Sequence, residues 1–229
     1  MKGICFIEPL FNKVVAGEKT QTRRIINHFG NKEHYGKLLC HWGLSHPPYL
    51  SEAGEWRWEL QTDVDESGEF MIKPKYKHGE VVYLKEPYVI AKSGRVFRKY
   101  DNSDCSYLRF LGENPEVKGA WNNKLFMPES AARYFIKITG VRAERLQDIS
   151  EADCLKEGII ADHWLRPDGR VQKRFIAFQA EKSWRISSDI IEECPIKAYA
   201  KLIDRIDGKG IWESNPFVWV YDFELVDKP

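Results

Sequence analysis

Short apolar runs, each about the length of a β-strand, recur from one end of this chain to the other. They cover residues 4–7, 81–84 and 134–138, and a longer run extends from Phe217 to Val226. A short apolar segment bounded by turn residues is typical of a strand that is buried in a sheet. Strands are therefore predicted to dominate the core.

Helical patterns are fewer than strand patterns. Residues 9–17 and 172–185 are predicted helices, and Ser150 is a good N-cap for a third. A fourth helix is predicted over residues 197–206, where apolar residues share one face. Few helices beside many strands predict an α+β fold around a small barrel.

Two segments lack this regular pattern and are predicted to be insertions in a single domain of 229 residues. The first covers about residues 27–78, where Trp56 to Leu60 alternates as a strand would. The second covers about residues 91–130 and contains the Gly, Asn and Pro residues that are typical of turns. The chain length suits one domain with large insertions.

The number and spacing of the cysteines argue against a disulfide framework and against a zinc ribbon. The five cysteines are widely separated and none has C-x-x-C spacing. Cys40 clusters with His28, His34, His41 and His46 in the first insertion, but these spacings match no standard zinc pattern. We therefore expect no metal site and no cofactor, and a reducing cytoplasm is the favoured location.

The charge balance limits the kind of partner. Because 35 basic residues are balanced by 34 acidic ones, the chain has no dominant positive field for long nucleic acids. Any nucleic-acid site must then be a local patch that takes a small ligand or a short single strand. No apolar run approaches the ~20 residues that a membrane-spanning helix needs, so no membrane partner is expected.

A dense polar cluster follows a predicted helix stop at Gly17. The segment Lys19-Thr20-Gln21-Thr22-Arg23-Arg24 holds three cations and two hydroxyls within six residues. Since Gly can take the left-handed conformation that ends a helix, the cluster is presented at an element junction. Such a group can bind phosphate or surround an activated nucleophile. A solvated basic turn is the alternative.

The same cluster carries a family resemblance. Residues 17–24 resemble the G-x-K-T-x-T-x-R signature of the ASCH family, whose members have a PUA-like β-barrel. Residues 78–86 and 146–158 resemble two further segments of that family, and residues 212–220 resemble the closing strand of a larger, phage-associated type. The resemblance implies a PUA-like small β-barrel flanked by helices, here with two large insertions.

One branch of that family hydrolyses the amide of N(4)-acetylcytidine, and the resemblance implies Lys19, Thr22 and Glu157 as the catalytic residues. A Thr hydroxyl is a poor nucleophile until a base takes its proton. A neutral Lys can be that base, and Glu can shuttle a proton to the leaving amine. Because Lys19 and Thr22 would face opposite sides of one regular strand, this mechanism requires a turn at Lys19-Thr20.

Further candidates for ligand binding lie beside the catalytic ones. They are Thr20, Arg23, Arg24, Lys85 and Glu86. The planar fork of Arg24 suits a bidentate contact with phosphate or carboxylate. Glu86 either lines the same pocket or pairs with an arginine. We predict that Arg24 and the three catalytic candidates converge on one concave pocket.

Binding without chemistry is the alternative function, since PUA-like barrels commonly bind RNA. Aromatic faces stack unpaired bases for roughly 1–3 kcal/mol each, while cations hold the phosphates. Two clusters place cations beside aromatic residues: Trp56, Arg57 and Trp58, and Arg95, Arg98, Lys99 and Tyr100. Packing in the core is the other use of such aromatic residues. Either way, the predicted ligand is a nucleobase, a nucleoside or single-stranded RNA.

Overall fold

The computed structural model of the protein describes residues 1–26, 47–60, 68–90, 94–99, 121–178 and 190–229. Helices and strands are mixed within these ranges, which confirms the predicted α+β class. None of the helices in these ranges is long and apolar enough to cross a membrane.

The elements of the described ranges are short. The helices are α1 (Glu8–Val15), α2 (Glu151–Lys156), α3 (Pro195–Asp207) and α4 (Ile211–Ser214), with 3-10 turns at Lys124–Phe126, Glu129–Ala131 and Leu146–Asp148. The strands are β1 (Gly3–Cys5), β2 (Gln21–Ile25), β3 (Tyr49–Leu50), β4 (Trp56–Leu60), β5 (Gly68–Met71), β6 (Val81–Lys85), β7 (Tyr88–Ile90), β8 (Val96–Arg98), β9 (Phe135–Arg145), β10 (Ile160–Leu165), β11 (Val171–Phe178), β12 (Ile190–Glu192) and β13 (Phe217–Val226).

The largest sheet has five strands in the order β1-β6-β9-β13-β2. β1 runs parallel to β6, and the other neighbours are antiparallel. β1 and β2 are its two edges, and in the described residues they do not pair with each other, so no closed barrel is found. The edges nevertheless approach, because the Arg24 side chain on β2 donates a hydrogen bond to the Cys5 carbonyl over 2.7 Å.

The predicted apolar runs supply the core of this sheet. Val82, Ile136 and Val218, from three different strands, are completely buried. Helix α1 packs against them with Phe11 and Val14, which lie on one face because they are three residues apart. Each such side chain contributes about 1.5–3 kcal/mol on burial, so the core holds together strands that are distant in sequence.

Two local signals of the sequence are confirmed. After α1, Gly17 takes the left-handed conformation with a φ of 75°, and the next two N–H groups both bond to the Lys13 carbonyl. Before α2, the Ser150 hydroxyl accepts a hydrogen bond from the Asp153 N–H over 3.1 Å. Both signals lie next to residues of the predicted site, so they fix where those residues are presented.

The helix predicted over residues 172–185 is wrong in its described part, which is strand β11. This strand forms a hairpin with β10, closed by a hydrogen bond of 2.8 Å from the Arg166 N–H to the Arg170 carbonyl, and pairs with β12 on its other side. Apolar residues at 171, 175 and 178 also fit a helical spacing. Pairing with a strand on each side decides in favour of the sheet.

The predicted insertions supply smaller sheets beside the main one. β3, β4 and β5 lie in the first insertion, and β8 in the second pairs with β7. The second insertion also contains the 3-10 turn Lys124–Phe126. This turn contacts the chain just after β1, because the Lys124 ammonium donates a hydrogen bond to the Phe6 carbonyl over 2.6 Å. Cys40 and the four clustered histidines lie outside the described residues.

Candidate functional site

A cavity of about 200 Å³ opens where the two edges of the main sheet approach, with α3 along its side. Its polar side chains come from β2 and the residues just before it, from the end of α2, from α3 and from the 3-10 turn Lys124–Phe126. The residues of interest are Lys19, Thr22, Arg23, Arg24, Glu157 and Tyr199. The structure thus brings together Arg24 and the three catalytic candidates, as predicted. We call this space the first cavity.

Lys19 and Glu157 form a buried ion pair in the first cavity. The Lys19 Nζ lies 2.5 Å from the Glu157 carboxylate and 2.8 Å from the Glu157 backbone carbonyl. Only 2% of Lys19 and 4% of Glu157 is exposed. The turn expected at Lys19-Thr20 lies instead at residues 16–17. Because β2 begins only at Gln21, Lys19 is outside the strand and need not face away from Thr22.

The surroundings of the Lys19 ammonium shift its pKa downward. Burial is the largest cause, because it disfavours the charged form. The Glu157 carboxylate acts in the opposite direction through its charge and its hydrogen bond, while Arg24 and Arg23 lower the pKa further. The net direction is downward, which makes neutral Lys19 more accessible than an ordinary lysine.

Thr22 lies on β2 and lines the same cavity. The residue is 4% exposed, and its hydroxyl makes no hydrogen bond within the described part of the chain. Because Thr22 and Arg24 are two residues apart on a strand, their side chains point to the same face. The site therefore offers an uncommitted hydroxyl beside an arginine.

Arg23, predicted as a ligand-binding residue, is instead committed to a network of carboxylates. Its guanidinium bonds to Glu144, to Asp153 at 3.4 Å and to Glu157 at 3.2 Å. It also donates to the Gln21 side-chain oxygen over 2.6 Å. These contacts use most of its donors, so Arg23 holds Glu157 in place rather than offering a free charge to a ligand.

Arg24 differs sharply from its neighbour. Within the described residues it makes one hydrogen bond, to the Cys5 carbonyl, and no ion pair. Its guanidinium carbon lies 5.3 Å from the centre of the Phe6 ring, and its side chain lines the first cavity. The prediction that Arg24 faces a binding pocket agrees with this placement.

The other predicted ligand-binding residues lie outside the first cavity. Glu86 is fully buried and bonds to Arg133 through both carboxylate oxygens, at 2.8 and 3.0 Å, which is the pairing that the sequence left open. Thr20 has an exposed side chain, and its backbone N–H bonds to the Lys156 carbonyl. Lys85 lines a neighbouring cavity instead.

The two aromatic and basic clusters are largely structural where they are described. Trp56 packs edge-on against Trp219 with ring centres 4.7 Å apart, as part of the core. Arg57 pairs with Glu55 at 3.2 Å. The Arg98 side chain donates to a backbone carbonyl over 3.0 Å. Tyr100 and the side chain of Trp58 lie outside the described residues.

Tyr199 is a site residue that the sequence reasoning missed. It lies on α3, is 2% exposed, and its hydroxyl finds no hydrogen-bond partner among the described residues. Burial is the main cause that raises the pKa of this phenol well above its usual value, and the Glu157 carboxylate adds to it. The helical spacing of Tyr199, Leu202 and Ile206 is the signal that would have placed it on the cavity face.

Asp207 was also missed, because it ends the helix and looks like an ordinary solvated carboxylate. It lines the first cavity and the neighbouring one. Burial raises the pKa of this carboxyl, and the Arg24 charge opposes that rise. Among the described residues, no group of His, Cys, Asp and Glu side chains could hold a metal ion.

Comparison with protein-family models, with curated proteins and with solved structures gave no match to this chain.

Proposed function

We propose that the first cavity binds a nucleoside and hydrolyses the amide of an acylated base such as N(4)-acetylcytidine. The observation that carries this proposal is the meeting of Lys19, Thr22 and Glu157, since Lys19 and Glu157 are 138 residues apart in sequence. A lysine of lowered pKa, a carboxylate that holds it and an uncommitted hydroxyl are the parts of an acyl transfer through threonine.

The chemistry follows from these groups. Neutral Lys19 takes the proton of the Thr22 hydroxyl, whose oxygen forms a bond to the acyl carbonyl carbon. The tetrahedral intermediate then collapses, the C–N bond breaks, and the amine of the base leaves with a proton that Glu157 relays from Lys19. Water hydrolyses the resulting Thr22 ester, which releases the carboxylic acid and restores the hydroxyl. One water is consumed, and one amine and one acid are formed.

We also propose that the main sheet is a PUA-like barrel with its seam at the first cavity. Within the described residues its two edge strands are connected by a side chain rather than by a backbone ladder, because Arg24 on β2 donates to the Cys5 carbonyl of β1 over 2.7 Å. Beside this contact Lys124, from the 3-10 turn Lys124–Phe126, donates to the Phe6 carbonyl over 2.6 Å. A seam left open in this way would give a ligand access to the polar groups between the edges.

Binding without chemistry is the second candidate, and one observation favours it. The Lys19 ammonium bonds to Glu157 twice, and no hydrogen bond connects it to the Thr22 hydroxyl. A lysine held in this way serves as a scaffold for the cavity. The ligand would then be the same nucleoside or single-stranded RNA, released unchanged.

Incubation with N(4)-acetylcytidine, with cytidine followed by chromatography, distinguishes the two candidates. We expect turnover in the natural protein, loss of turnover in Thr22→Val, which keeps the shape but lacks the hydroxyl, and partial retention in Thr22→Ser. Lys137→Ala, an exposed change outside the cavity, is the matched control. If no cytidine forms, or if Thr22→Val is as active as the natural protein, hydrolysis through Thr22 is wrong.

A further inference from the structure

A second cavity, of about 420 Å³, adjoins the first. The two share Cys5, Arg24 and Asp207, so the Arg24 side chain stands at the boundary between them. The first cavity alone, at about 200 Å³, is smaller than the ~300–1,000 Å³ of typical ligand pockets, whereas the two together fall within that range. A ligand that fills the site therefore extends past Arg24.

The second cavity is lined by more cations than carboxylates. Arg24, Lys75 and Lys85 all contribute to its wall, and none of them forms an ion pair within the described part of the chain. Lys85 is held by a hydrogen bond of 2.7 Å from its ammonium to the Leu125 carbonyl. Such a bond positions the charge but does not neutralise it, so further donors are left for an anion.

Three other cations of the described residues are, by contrast, paired with carboxylates. Lys19, Arg23 and Arg133 all reach carboxylates within 3.4 Å. Among the described residues that line the second cavity, Asp207 is the one carboxyl group, and burial raises its pKa. Three cations face this one carboxyl group, so the cavity has an excess of positive charge even when Asp207 is ionised.

The remaining wall of the second cavity offers aromatic surface rather than polar groups. The Tyr76 hydroxyl is committed to the Gly3 carbonyl at 3.0 Å, and the Tyr221 hydroxyl accepts a hydrogen bond from the Lys75 N–H at 3.0 Å. Both tyrosines and Trp219 line the space. Ring surface beside uncompensated cations is the combination that suits a sugar joined to a phosphate.

We infer that the ligand is a phosphorylated nucleoside, with its phosphate in the second cavity against Arg24, Lys75 and Lys85. This inference rests on the proposed function only in placing the base in the first cavity. The phosphate belongs either to a free nucleotide or to a single strand of RNA, and the chemistry of recognition is the same for both.

Titration calorimetry at low salt tests the inference without any need for hydrolysis. Cytidine, cytidine 5′-monophosphate, a short single-stranded RNA containing cytidine, and inorganic phosphate are compared on the same protein. We expect the monophosphate to bind at least about tenfold more tightly than cytidine, because each hydrogen bond to a charged group is worth well over a factor of ten. Tighter binding of the RNA than of the monophosphate would show that the phosphate belongs to an RNA strand rather than to a free nucleotide.

Two variants locate the phosphate. In Lys75→Met and Lys85→Met the preference for the monophosphate over cytidine should shrink severalfold, and in Lys137→Met it should not change. Lys75 is the cleaner test, because its ammonium makes no hydrogen bond in the described residues, so Lys75→Met should leave the fold intact.

Equal binding of cytidine and its monophosphate, or no binding of any phosphorylated ligand, would overturn the inference. An unchanged preference in both lysine variants would do the same. A clear preference for the monophosphate without hydrolysis of N(4)-acetylcytidine would support the inference and remove the proposed chemistry, so the two failures can be distinguished.

Discussion

The Lys19 ammonium lies 2.5 Å from the Glu157 carboxylate, and this buried pair ties the start of β2 to the end of α2. A backbone hydrogen bond of 2.9 Å from Thr20 to the Lys156 carbonyl runs beside it. The same two residues thus join distant parts of the chain and supply the polar groups of the first cavity. Stability and chemistry are therefore coupled at this point.

Glu157→Gln should destabilise the protein by about 3–5 kcal/mol, because it leaves the buried Lys19 ammonium without its counter-charge. Urea unfolding measures the loss. Glu224→Gln, an exposed change on β13, is the control and should alter the free energy of unfolding by no more than about 0.5 kcal/mol. Adding Lys19→Met to Glu157→Gln should recover part of the stability. A purely additive double variant would contradict the coupling.

Gly158→Ala should cost more than an ordinary substitution of a left-handed glycine. Gly158 has a φ of 96°, and an added Cβ would lie 3.1 Å from the Lys13 Cδ and 3.5 Å from the Lys19 Cβ. Gly169 has a similar φ, in the β10–β11 hairpin, but its added Cβ would meet nothing within 4 Å. Gly169→Ala should then cost about 1–2 kcal/mol, whereas Gly158→Ala should cost more and also weaken ligand binding.

Equal losses of stability for the two glycine variants, with unchanged affinity for cytidine 5′-monophosphate, would mean that Gly158 does not hold the site in place. Thermal unfolding and titration calorimetry on both variants decide this.

Local signals predicted the elements that carry the site more reliably than they predicted the site itself. The left-handed Gly17 and the Ser150 cap lie where expected, because each depends on a residue's own backbone preference and nearby hydrogen bonds. The strand at 171–178 was mistaken for a helix, because its apolar residues also fit a helical spacing and only the pairing with β10 and β12 distinguishes the two.

Some features of the candidate site were likewise predictable from the sequence, and others depend on tertiary packing. Lys19, Thr22 and Glu157 were predicted to converge on one pocket, and all three line the first cavity. No pattern could tell which of the adjacent arginines, Arg23 or Arg24, would face carboxylates, since that depends on residues brought in by other strands. Nor could a sequence pattern show that the Tyr199 hydroxyl lacks a hydrogen-bond partner among the described residues, because partners are set by the packing of the folded chain.

Tyr199→Phe should have different effects on the stability of the protein and on its affinity for a ligand. The buried Tyr199 hydroxyl has no partner in the described residues, so removing it should leave the free energy of unfolding unchanged or raise it by about 1 kcal/mol. If that hydroxyl is kept for a ligand, affinity for cytidine 5′-monophosphate should fall severalfold. Urea unfolding and calorimetry on one sample measure both quantities. A destabilised variant with normal affinity would show that the hydroxyl has a structural partner instead.

Lys13 should make stability depend on pH in the alkaline range. Burial lowers the pKa of its ammonium from 10.5 to about 8. Between these values the unfolded chain binds the proton and the folded chain does not, so the free energy of unfolding should rise with pH through this window. The rise is at most about 1.4 kcal/mol per pH unit.

Lys13→Met should remove this contribution, so the difference in unfolding free energy between the natural protein and the variant should grow from about pH 8 to 10.5. The exposed Lys137→Met provides the comparison. A difference that stays constant with pH would show that the Lys13 ammonium titrates normally in the folded protein.

Arg23 and Arg24 form a matched pair of adjacent arginines with opposite expected effects. Arg23→Gln removes the partner of Glu144, Asp153 and Glu157, so it should cost about 3 kcal/mol or more. Arg24→Gln removes one hydrogen bond to the Cys5 carbonyl and should cost no more than about 1.5 kcal/mol. Arg24→Gln should instead lower the affinity for the ligand, because Arg24 lines both cavities.

Urea unfolding and titration with cytidine 5′-monophosphate, carried out on both variants, give the two readouts of this comparison. Arg24→Gln should lose about tenfold or more in affinity while remaining folded, since a charged hydrogen bond to phosphate is worth at least that factor. If Arg24→Gln unfolds as readily as Arg23→Gln and keeps its affinity, the open side of the sheet is held together by Arg24 and the phosphate binds elsewhere. The Arg24 side chain would then contribute to stability alone.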